Sequence, residues 1–270
     1  MEHRKLGHLD VPVIGLGTAR TFDVKAPAEI VLRQQIMDEC VHHRTTFIDS
    51  SPMYGRSERV IGLTTDGRRD KFQFATKVWC SGQKQGEAQI AESFRLFKTD
   101  YVELFQIHNL VDWKSHLGTL ERLRDQGKIG LIGITHYQTS TYPSMLEIMR
   151  GGRIDTIQIP YHVLERTCEE GVLPLAADLG IGVIVMEPLD KGRLVKGLRK
   201  APDLAPLAAY EIQTWGQALL AWVVSDPRVS VAIPATTRPG RIAENARAGN
   251  VGKLPQDLRD YIRDETERCL

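Results

Sequence analysis

The sequence predicts an α/β protein folded as a (β/α)8 TIM barrel, with a short N-terminal β-hairpin and an extra C-terminal helix. Three observations carry this. Short, nearly unbroken apolar runs alternate with amphipathic helical segments, the pattern of a parallel sheet whose outer face is covered. The 270-residue length holds eight such units, whereas a doubly wound sheet more often stops at about five or six strands. No linker-like break in composition or low-complexity tract divides the chain, so residues 1–270 are expected to form one domain.

The elements follow in order. Lys5 to Val13 reads as two extended pieces around Gly7-His8, a small hairpin. The first core strand is expected over Val13 to Thr18. A helix over Ala28–His42 leads to a strand at Thr45–Asp49, then a short helix near Glu58–Leu63 and a strand over Phe72–Val78. Next come a helix in Glu87–Phe97, the strand Tyr101–His108, a helix in Lys114–Gln126 and the strand Ile129–Thr135. The second half gives a helix near Ser140–Met149, a strand over Thr156–Tyr161, a helix over Gly171–Leu179 and a strand over Ile181–Met186. A longer polar stretch, Lys191 to Pro206, precedes a helix over Gln213–Ser225 and the last apolar strand, Val229–Ile233. In the tail, Leu258, Tyr261 and Ile262 recur at helical spacing, which marks an added helix on the barrel.

Bulk properties exclude several classes. Lysine plus arginine (35) nearly cancels aspartate plus glutamate (34), leaving no field to recruit nucleic acid or an anionic membrane. No apolar run has membrane-spanning length. The N-terminal Met1 to Lys5 is charged with no apolar segment behind it, unlike a secretory signal. Cys40, Cys80, Cys168 and Cys269 are widely spaced, without a C-x-x-C pair, and read as reduced thiols of a cytoplasmic protein. No carboxylate and histidine set shares metal-ligand spacing, and His42-His43 sits at a helix end. Gly15-Leu16-Gly17 suggests a dinucleotide fingerprint, but its third glycine position is Arg20 and no helix opens there.

Chemistry gathers at the strand ends. In a (β/α)8 barrel the C-terminal ends of the strands share one face, where catalytic groups collect. Asp49 ends the second strand, Lys77 lies near the end of the third and His108 ends the fourth, with Tyr54 in the loop after the second. Each alone is commonly structural: an Asp after a strand often caps a helix or forms a turn. Together they make a coherent set. A phenol titrates near 10, and a neighbouring ammonium lowers that value, so Lys77, aimed by Asp49, is expected to tune Tyr54 as a proton donor. His108 is placed to donate a hydrogen bond to a substrate oxygen. A proton donor beside an oxygen-binding group suits carbonyl reduction or its reverse, and no side chain supplies a hydride, so a cofactor must.

Asp49, Tyr54, Lys77 and His108, in that order and on those strand ends, resemble the catalytic tetrad of the aldo-keto reductase family, and Asp49 to Gly55 matches its Asp-x-x-x-x-Tyr-Gly motif. The likeness spans essentially the whole chain. It implies a barrel that uses NADP(H), with Tyr54 as general acid in reduction, Lys77 and Asp49 as its tuning pair and His108 orienting the carbonyl. The glycine-rich first strand of the family resembles Gly15-Leu16-Gly17-Thr18, which puts Gly17 and Thr18 beside the cofactor.

A second matching segment, Ile233 to Asn245, follows the last strand and opens a helix. Hydroxyls and arginines at a helix N-terminus favour a phosphate through free N–H groups and the dipole, although Thr236 or Thr237 also fits as an ordinary cap. The resemblance implies that Thr236, Arg241, Glu244 and Asn245 contact the adenosine 2′-phosphate and adenine. The lysine common after the proline is Ala235 here, with Arg238 as its replacement, so a preference for NADPH is expected. The family's Ser-Asn after the fifth strand is Thr135-His136: the hydroxyl is kept and an imidazole edge stands in for the amide. Gln158 matches the carboxamide-binding glutamine, or is a satisfied core amide. Met186, followed by Glu187, Pro188 and Leu189, occupies the place of the aromatic that stacks on nicotinamide. It is a polarizable stand-in for that ring, or a core residue.

Phe22, Trp79 and Trp113, with Tyr54 and Tyr161, lie on loops or strand ends and are expected to wall the substrate site. Beyond Ile233 only the cofactor segment and one helix remain, which predicts an open cleft for a small carbonyl substrate. No nucleic-acid or membrane partner is expected, and the protein should be a monomer or weak homo-oligomer. Two readings compete with reduction: a nicotinamide-binding redox-sensing regulatory subunit with slow turnover, and a Schiff-base lyase acting through Lys77.

Overall fold

The computed structural model describes residues 1–270. Its centre is an eight-stranded parallel sheet in consecutive order. The hairpin comes first, β1 (His3–Leu6) antiparallel to β2 (Leu9–Pro12). The barrel strands are β3 (Leu16–Gly17), β4 (Phe47–Asp49), β5 (Gln73–Val78), β6 (Val102–His108), β7 (Ile129–Thr135), β8 (Thr156–Pro160), β9 (Gly182–Met186) and β10 (Val231–Ala232). Between them run α1 (Pro27–His42), α2 (Ser57–Thr64), α3 (Gln83–Phe97), α4 (Trp113–Asp125), α5 (Tyr142–Arg150), α6 (Val172–Leu179), α7 (Arg193–Lys196) and α8 (Trp215–Val224). After β10 come α9 (Gly240–Ala248) and α10 (Gln256–Cys269), the expected added helix.

The cylinder closes between its first and last strands. Parallel bridges join Ile14 to Ala232 and Gly17 to Ala235, and backbone N–H groups of Gly15 and Ala232 bond Ala232 O and Val13 O at 2.9 Å each. β3 is shorter than the strand expected from Val13 to Thr18. The backbones approach closely here: a Cβ on Gly15 would lie 2.6 Å from Phe47 O, and one on Gly17 would lie 2.7 Å from Ile233 O. Both glycines serve the close approach of strands at the seam.

Period-two alternation sorts each strand into an inner and an outer set. Phe47, Ala75, Leu104, Leu131, Ile184 and Val231 point inward and join Leu6 and Val11 of the hairpin in a separate apolar cluster. The hairpin therefore plugs one end of the barrel with its own side chains. Two residues further along the strands the interior turns polar, with Asp49, Lys77, Gln106 and Gln158 all buried. Outward residues such as Ile48, Phe105, Ile132 and Val183 belong to the main core of 57 residues beneath the helices.

The helices carry recognisable ends. In α8 the Thr214 hydroxyl accepts from Gln217 N–H at 3.2 Å, and Gln217 Oε1 accepts from Thr214 N–H at 3.2 Å, a reciprocal capping box. Every residue of α8 is buried, because α9 and α10 cover the face turned from the barrel. The Trp222 indole N–H donates to Arg259 O at 3.1 Å, fastening α8 to α10. The stretch Lys191 to Pro206, expected as polar loop, contains α7, anchored by the fully buried Leu194. No helix is long and apolar enough to cross a membrane.

The N-terminus is also tied down. The Arg4 guanidinium donates to Val224 O at 2.7 Å, Asp226 O at 3.0 Å and Val229 O at 2.7 Å. These carbonyls lie at and just beyond the C-terminus of α8, where orphan acceptors and the helix dipole favour a cation.

Candidate active site

The sheet register brings the expected residues onto one rim. Asp49 is opposite Ala75 and Gly17, Lys77 opposite Gln106, His108 opposite Thr135, and Thr135 opposite Gln158. The Lys77 ammonium donates to both Asp49 oxygens, at 2.7 and 2.8 Å, and to Ser50 O at 2.7 Å. Gln106 Nε2 donates to Asp49 Oδ1 at 3.2 Å. All three protons of the ammonium are thus used, and the pair is almost wholly out of water. Burial pushes the Asp49 carboxyl up and the Lys77 amine down, while their mutual attraction opposes both shifts.

Tyr54 sits in a turn, Pro52–Tyr54, whose first N–H groups are capped by Ser51. Its ring meets His108 edge-on, with centroids 5.8 Å apart, and the Lys77 nitrogen lies 5.3 Å from its centroid. The expected tuning does not appear in this form. Burial, then the carboxylates of Asp49 and Glu187, push the phenol above its ordinary value. The attraction of the Lys77 ammonium is felt by Asp49 and Glu58 and its repulsion by His108, while nothing around the phenol offsets the upward shift. Tyr54 is consequently a fully protonated phenol at neutral pH.

His108 is buried, and Nδ1 lies 2.9 Å from Ser51 Oγ. Burial, then the charges of Lys77 and His136, lower it to about 3, so the ring is neutral throughout the physiological range. Trp79 is 40% exposed, with its ring 6.4 Å from that of His108, which puts an apolar face at the mouth of the site.

The candidate cofactor residues divide. Thr18 is fully buried, and its hydroxyl donates to Asp49 O at 2.9 Å and contacts Ser50 Oγ at 3.0 Å. With Gly17 pressed against Ile233, both residues of that pair hold the seam and the Asp49 turn. Thr135 and His136 are buried beside Gln158, and His136 Nδ1 accepts the Gln138 N–H at 3.1 Å, leaving Nε2–H as its donor. Gln158 Oε1 and Gln106 Oε1 are buried acceptors without a protein partner. Two such orphans in one polar layer fit a ligand that brings N–H donors, such as a carboxamide. Met186 is partly exposed at the end of β9, followed by buried Pro188 and half-buried Leu189.

That loop contains a residue the sequence reading passed over. Glu187 has φ 53°, in the left-handed region, and its carboxylate pairs with Lys191 Nζ at 3.2 Å. Asp190 and Lys191 also have positive φ, at 45° and 53°, and a run of non-glycine residues in that region is a strained backbone. No sequence signal marks it, since glycine or asparagine usually announces such a conformation.

At the start of α9, the Thr236 hydroxyl accepts the Arg238 N–H at 3.1 Å and caps the turn. Arg238 stands exposed, Asn245 is buried, and the Arg241 guanidinium is paired with Glu244. Glu244 also accepts from Thr214 Oγ1 at 2.9 Å. Two guanidinium groups at a nine-residue helix N-terminus fit a phosphate, one free to meet it and one held in place.

The aromatic wall is smaller than expected. Phe22 is fully buried in the main core, with the Arg33 guanidinium 6.0 Å from its ring. Tyr161 is also fully buried; its hydroxyl donates to Glu169 Oε1 at 2.7 Å and accepts from Arg259 at 3.0 Å, and its ring packs on Trp222. Trp113, at the start of α4, is half-buried against the core beneath Lys114. Only Trp79 presents a largely open ring next to His108.

Behind Lys77, on the outer side of β5, lies a second buried acid. Glu58 is 1% exposed and accepts from Thr76 Oγ1 at 2.6 Å. Burial raises it from 4.5 to about 7, against the hydrogen bonds of Thr76 and Ser93 and the attraction of Lys77. A carboxyl raised on folding stabilises the protein below its unfolded value and loses that contribution as pH rises through the folded one. Between pH 4.5 and 7 Glu58 is therefore expected to cost about 3 kcal/mol of stability, and Glu58→Gln should remove that slope. Urea unfolding of both proteins at pH 5 and pH 8 checks it; equal pH slopes would show that Glu58 does not titrate there.

A closed (β/α)8 barrel, with a buried acid–amine pair, a phenol and an imidazole on one rim and a basic helix start after the last strand, defines a barrel oxidoreductase scaffold. The chain belongs to the aldo/keto reductase family, whose sequence profile matches residues 13–265. It is 30% identical over 208 residues to the methylglyoxal reductase YeaE of Escherichia coli K12, covering 74% of this chain and 73% of that protein. Among solved structures, an aldo/keto reductase from Klebsiella pneumoniae in complex with NADP and acetate superposes with TM-score 0.83 and 28% identity over 97% of this chain and 94% of that one. Another solved structure, of aldo-keto reductase from K. pneumoniae in complex with NADPH, gives TM-score 0.82 and 27% identity over 98% and 96% of the two chains.

Proposed function

We propose that the chain, as one barrel domain over residues 1–270, is an NADPH-dependent reductase of aldehyde and ketone carbonyls. The observation that carries this is the Lys77–Asp49 pair, sealed from water next to a protonated phenol and a neutral imidazole that meet edge-on. Such a set donates two hydrogens toward one oxygen and holds no competing base in the open. Its family membership and the NADP(H) complexes of its structural relatives support the same reading.

NADPH, when bound, supplies the hydride. Gln158, Thr135 and the Nε2–H edge of His136 would hold the carboxamide end, with Gln106 Oε1 as a further acceptor. Met186, Pro188 and Leu189 would line the nicotinamide side. Arg238, Arg241, Thr236, Glu244 and Asn245 would hold the adenosine phosphate end. His108 donates a hydrogen bond to the substrate oxygen, and Tyr54 transfers its proton there as the carbonyl carbon is reduced. The four unpaired cysteines and the use of NADPH support a cytoplasmic location. Trp79, part-exposed beside His108, offers a carbonyl substrate an apolar face.

Purified protein is expected to oxidise NADPH when given a nitrobenzaldehyde or methylglyoxal, and to do so faster than with NADH. NADPH binding, seen as tryptophan fluorescence quenching, without turnover on any member of a carbonyl panel would overturn this reading in favour of a redox-sensing subunit. Borohydride trapping of a carbonyl on Lys77 would overturn it in favour of a Schiff-base lyase.

A further inference from the structure

We propose that Ser51 is a positioning residue that fixes the tautomer of His108, so that the imidazole presents Nε2–H to the cleft. Ser51 is 0% exposed, and its Oγ has two partners: the Met53 N–H, which donates to it at 3.2 Å, and His108 Nδ1 at 2.9 Å. A hydroxyl carries one proton and two acceptor sites. Met53 N–H fills one acceptor site, as the cap of the Pro52–Tyr54 turn.

Two arrangements remain for His108. If Nδ1–H donated to Ser51, the hydroxyl would accept twice and its own proton would point at nothing, a buried unsatisfied donor that costs about 1–3 kcal/mol. Nε2 would then face the cleft as a bare lone pair, repelling a carbonyl oxygen. If Ser51 Oγ–H donates to Nδ1, every hydrogen has an acceptor and Nε2 must carry the ring proton. The chain Met53 N–H to Ser51 Oγ–H to His108 Nδ1 is the arrangement that closes.

The clamp matters because His108 has no other way to be a donor. An imidazolium would donate from both nitrogens, but the ring is held neutral by its surroundings, so its donor capacity at the cleft depends wholly on the tautomer. Around it, the Lys77 ammonium and His136 oppose a second proton on the ring, and Tyr54, which meets it edge-on, is a protonated phenol. Ser51 also lies three residues before Tyr54 in the same turn. One backbone turn therefore sets both hydrogen donors of the site, the phenol directly and the imidazole through Ser51.

The inference rests on the proposed reductase only for its kinetic arm; the tautomer can be read without it. Protein carrying 15N-histidine, bound to NADP, is examined by long-range 1H–15N correlation. The expected result is His108 with an unprotonated Nδ1 and a protonated Nε2, and a pattern that shifts toward tautomer exchange in Ser51→Ala. The kinetic arm expects Ser51→Ala to lose about tenfold in kcat, the worth of roughly one hydrogen bond, with little change in the Kd for NADPH. Ser51→Thr, which restores the hydroxyl, should recover both the spectrum and the rate. A protonated Nδ1 on His108 in the unsubstituted protein overturns the proposal, whatever the variants do or fail to fold into. So does Ser51→Ala with an unaltered His108 spectrum and unaltered kcat. An Nε2–H tautomer in a protein that reduces no carbonyl would leave the clamp standing and remove the reductase reading.

Discussion

Tyr54→Phe is expected to reduce kcat for carbonyl reduction by about 10²–10⁴-fold, the usual contribution of a positioned general acid, and to leave NADPH affinity unchanged. Phenylalanine keeps the ring, so the edge-on contact with His108 at 5.8 Å can persist while the proton donor is gone. Turnover by absorbance and cofactor binding by fluorescence separate the two effects. Near-normal kcat in the variant would show that Tyr54 is not the acid. The pH profile adds a second test. Because burial and the carboxylates of Asp49 and Glu187 hold the phenol above its usual range, its protonated form persists into alkaline solution. Reduction should therefore lose no rate to ionisation of Tyr54 between neutrality and about pH 10, the ordinary phenol value. Glu187→Gln removes one charge that opposes the phenolate, so any alkaline limb should move to lower pH.

Breaking the buried ion pair from one side is expected to have the largest effect on stability. Lys77→Met strands the Asp49 carboxylate, and Asp49→Asn strands the ammonium; loss of one partner of such a pair costs about 3–5 kcal/mol. The double variant Asp49→Asn/Lys77→Met should be less damaged than the sum of the two singles, since it leaves no unpaired charge. Urea unfolding at neutral pH measures all four proteins. In Lys77→Met the deficit should shrink as pH falls, because Asp49 can then take up a proton and become neutral. Additive losses would mean that the two groups do not depend on each other.

The parts of the fold that were legible in the sequence were those whose pattern is local. β7 occurs over Ile129–Thr135 as read, because both faces of that strand are buried and the run is apolar from end to end. α1 differs by one residue, since Pro27 marks its first position. β3 and β10 are shorter than the apolar runs that contain them, and their extent depends on pairing between segments far apart in the chain, Ile14 with Ala232 and Gly17 with Ala235, which no local pattern reveals. α7 was missed for a related reason: four residues carry too little periodicity, and burial of Leu194 is what holds them.

The candidate site was legible to a similar depth. Asp49, Lys77 and His108 announce themselves as polar endings of apolar strands, and the structure brings their side chains together. Direction was harder to read. Phe22 and Tyr161 look like pocket aromatics in sequence, yet both turn into the packed layer. The charge of Lys77 looks set to lower the Tyr54 phenol in sequence, yet burial and the carboxylates of Asp49 and Glu187 raise it. Ser51 and Glu187 gave no warning, because a serine before proline reads as an ordinary turn and an acid between methionine and proline has no period to break.

The fastening of Arg4 to carbonyls of Val224, Asp226 and Val229 spans 220 to 225 positions of the chain. On the ribosome, Arg4 must wait for these partners to be made before its final contacts exist. At synthesis rates of about 5–20 residues per second, that interval is roughly 10–40 s. Through all of it the hairpin has only an incomplete cylinder to enter, and the leading strand keeps an unpaired edge. Closure of the barrel is thus a late joining of two segments far apart in the chain.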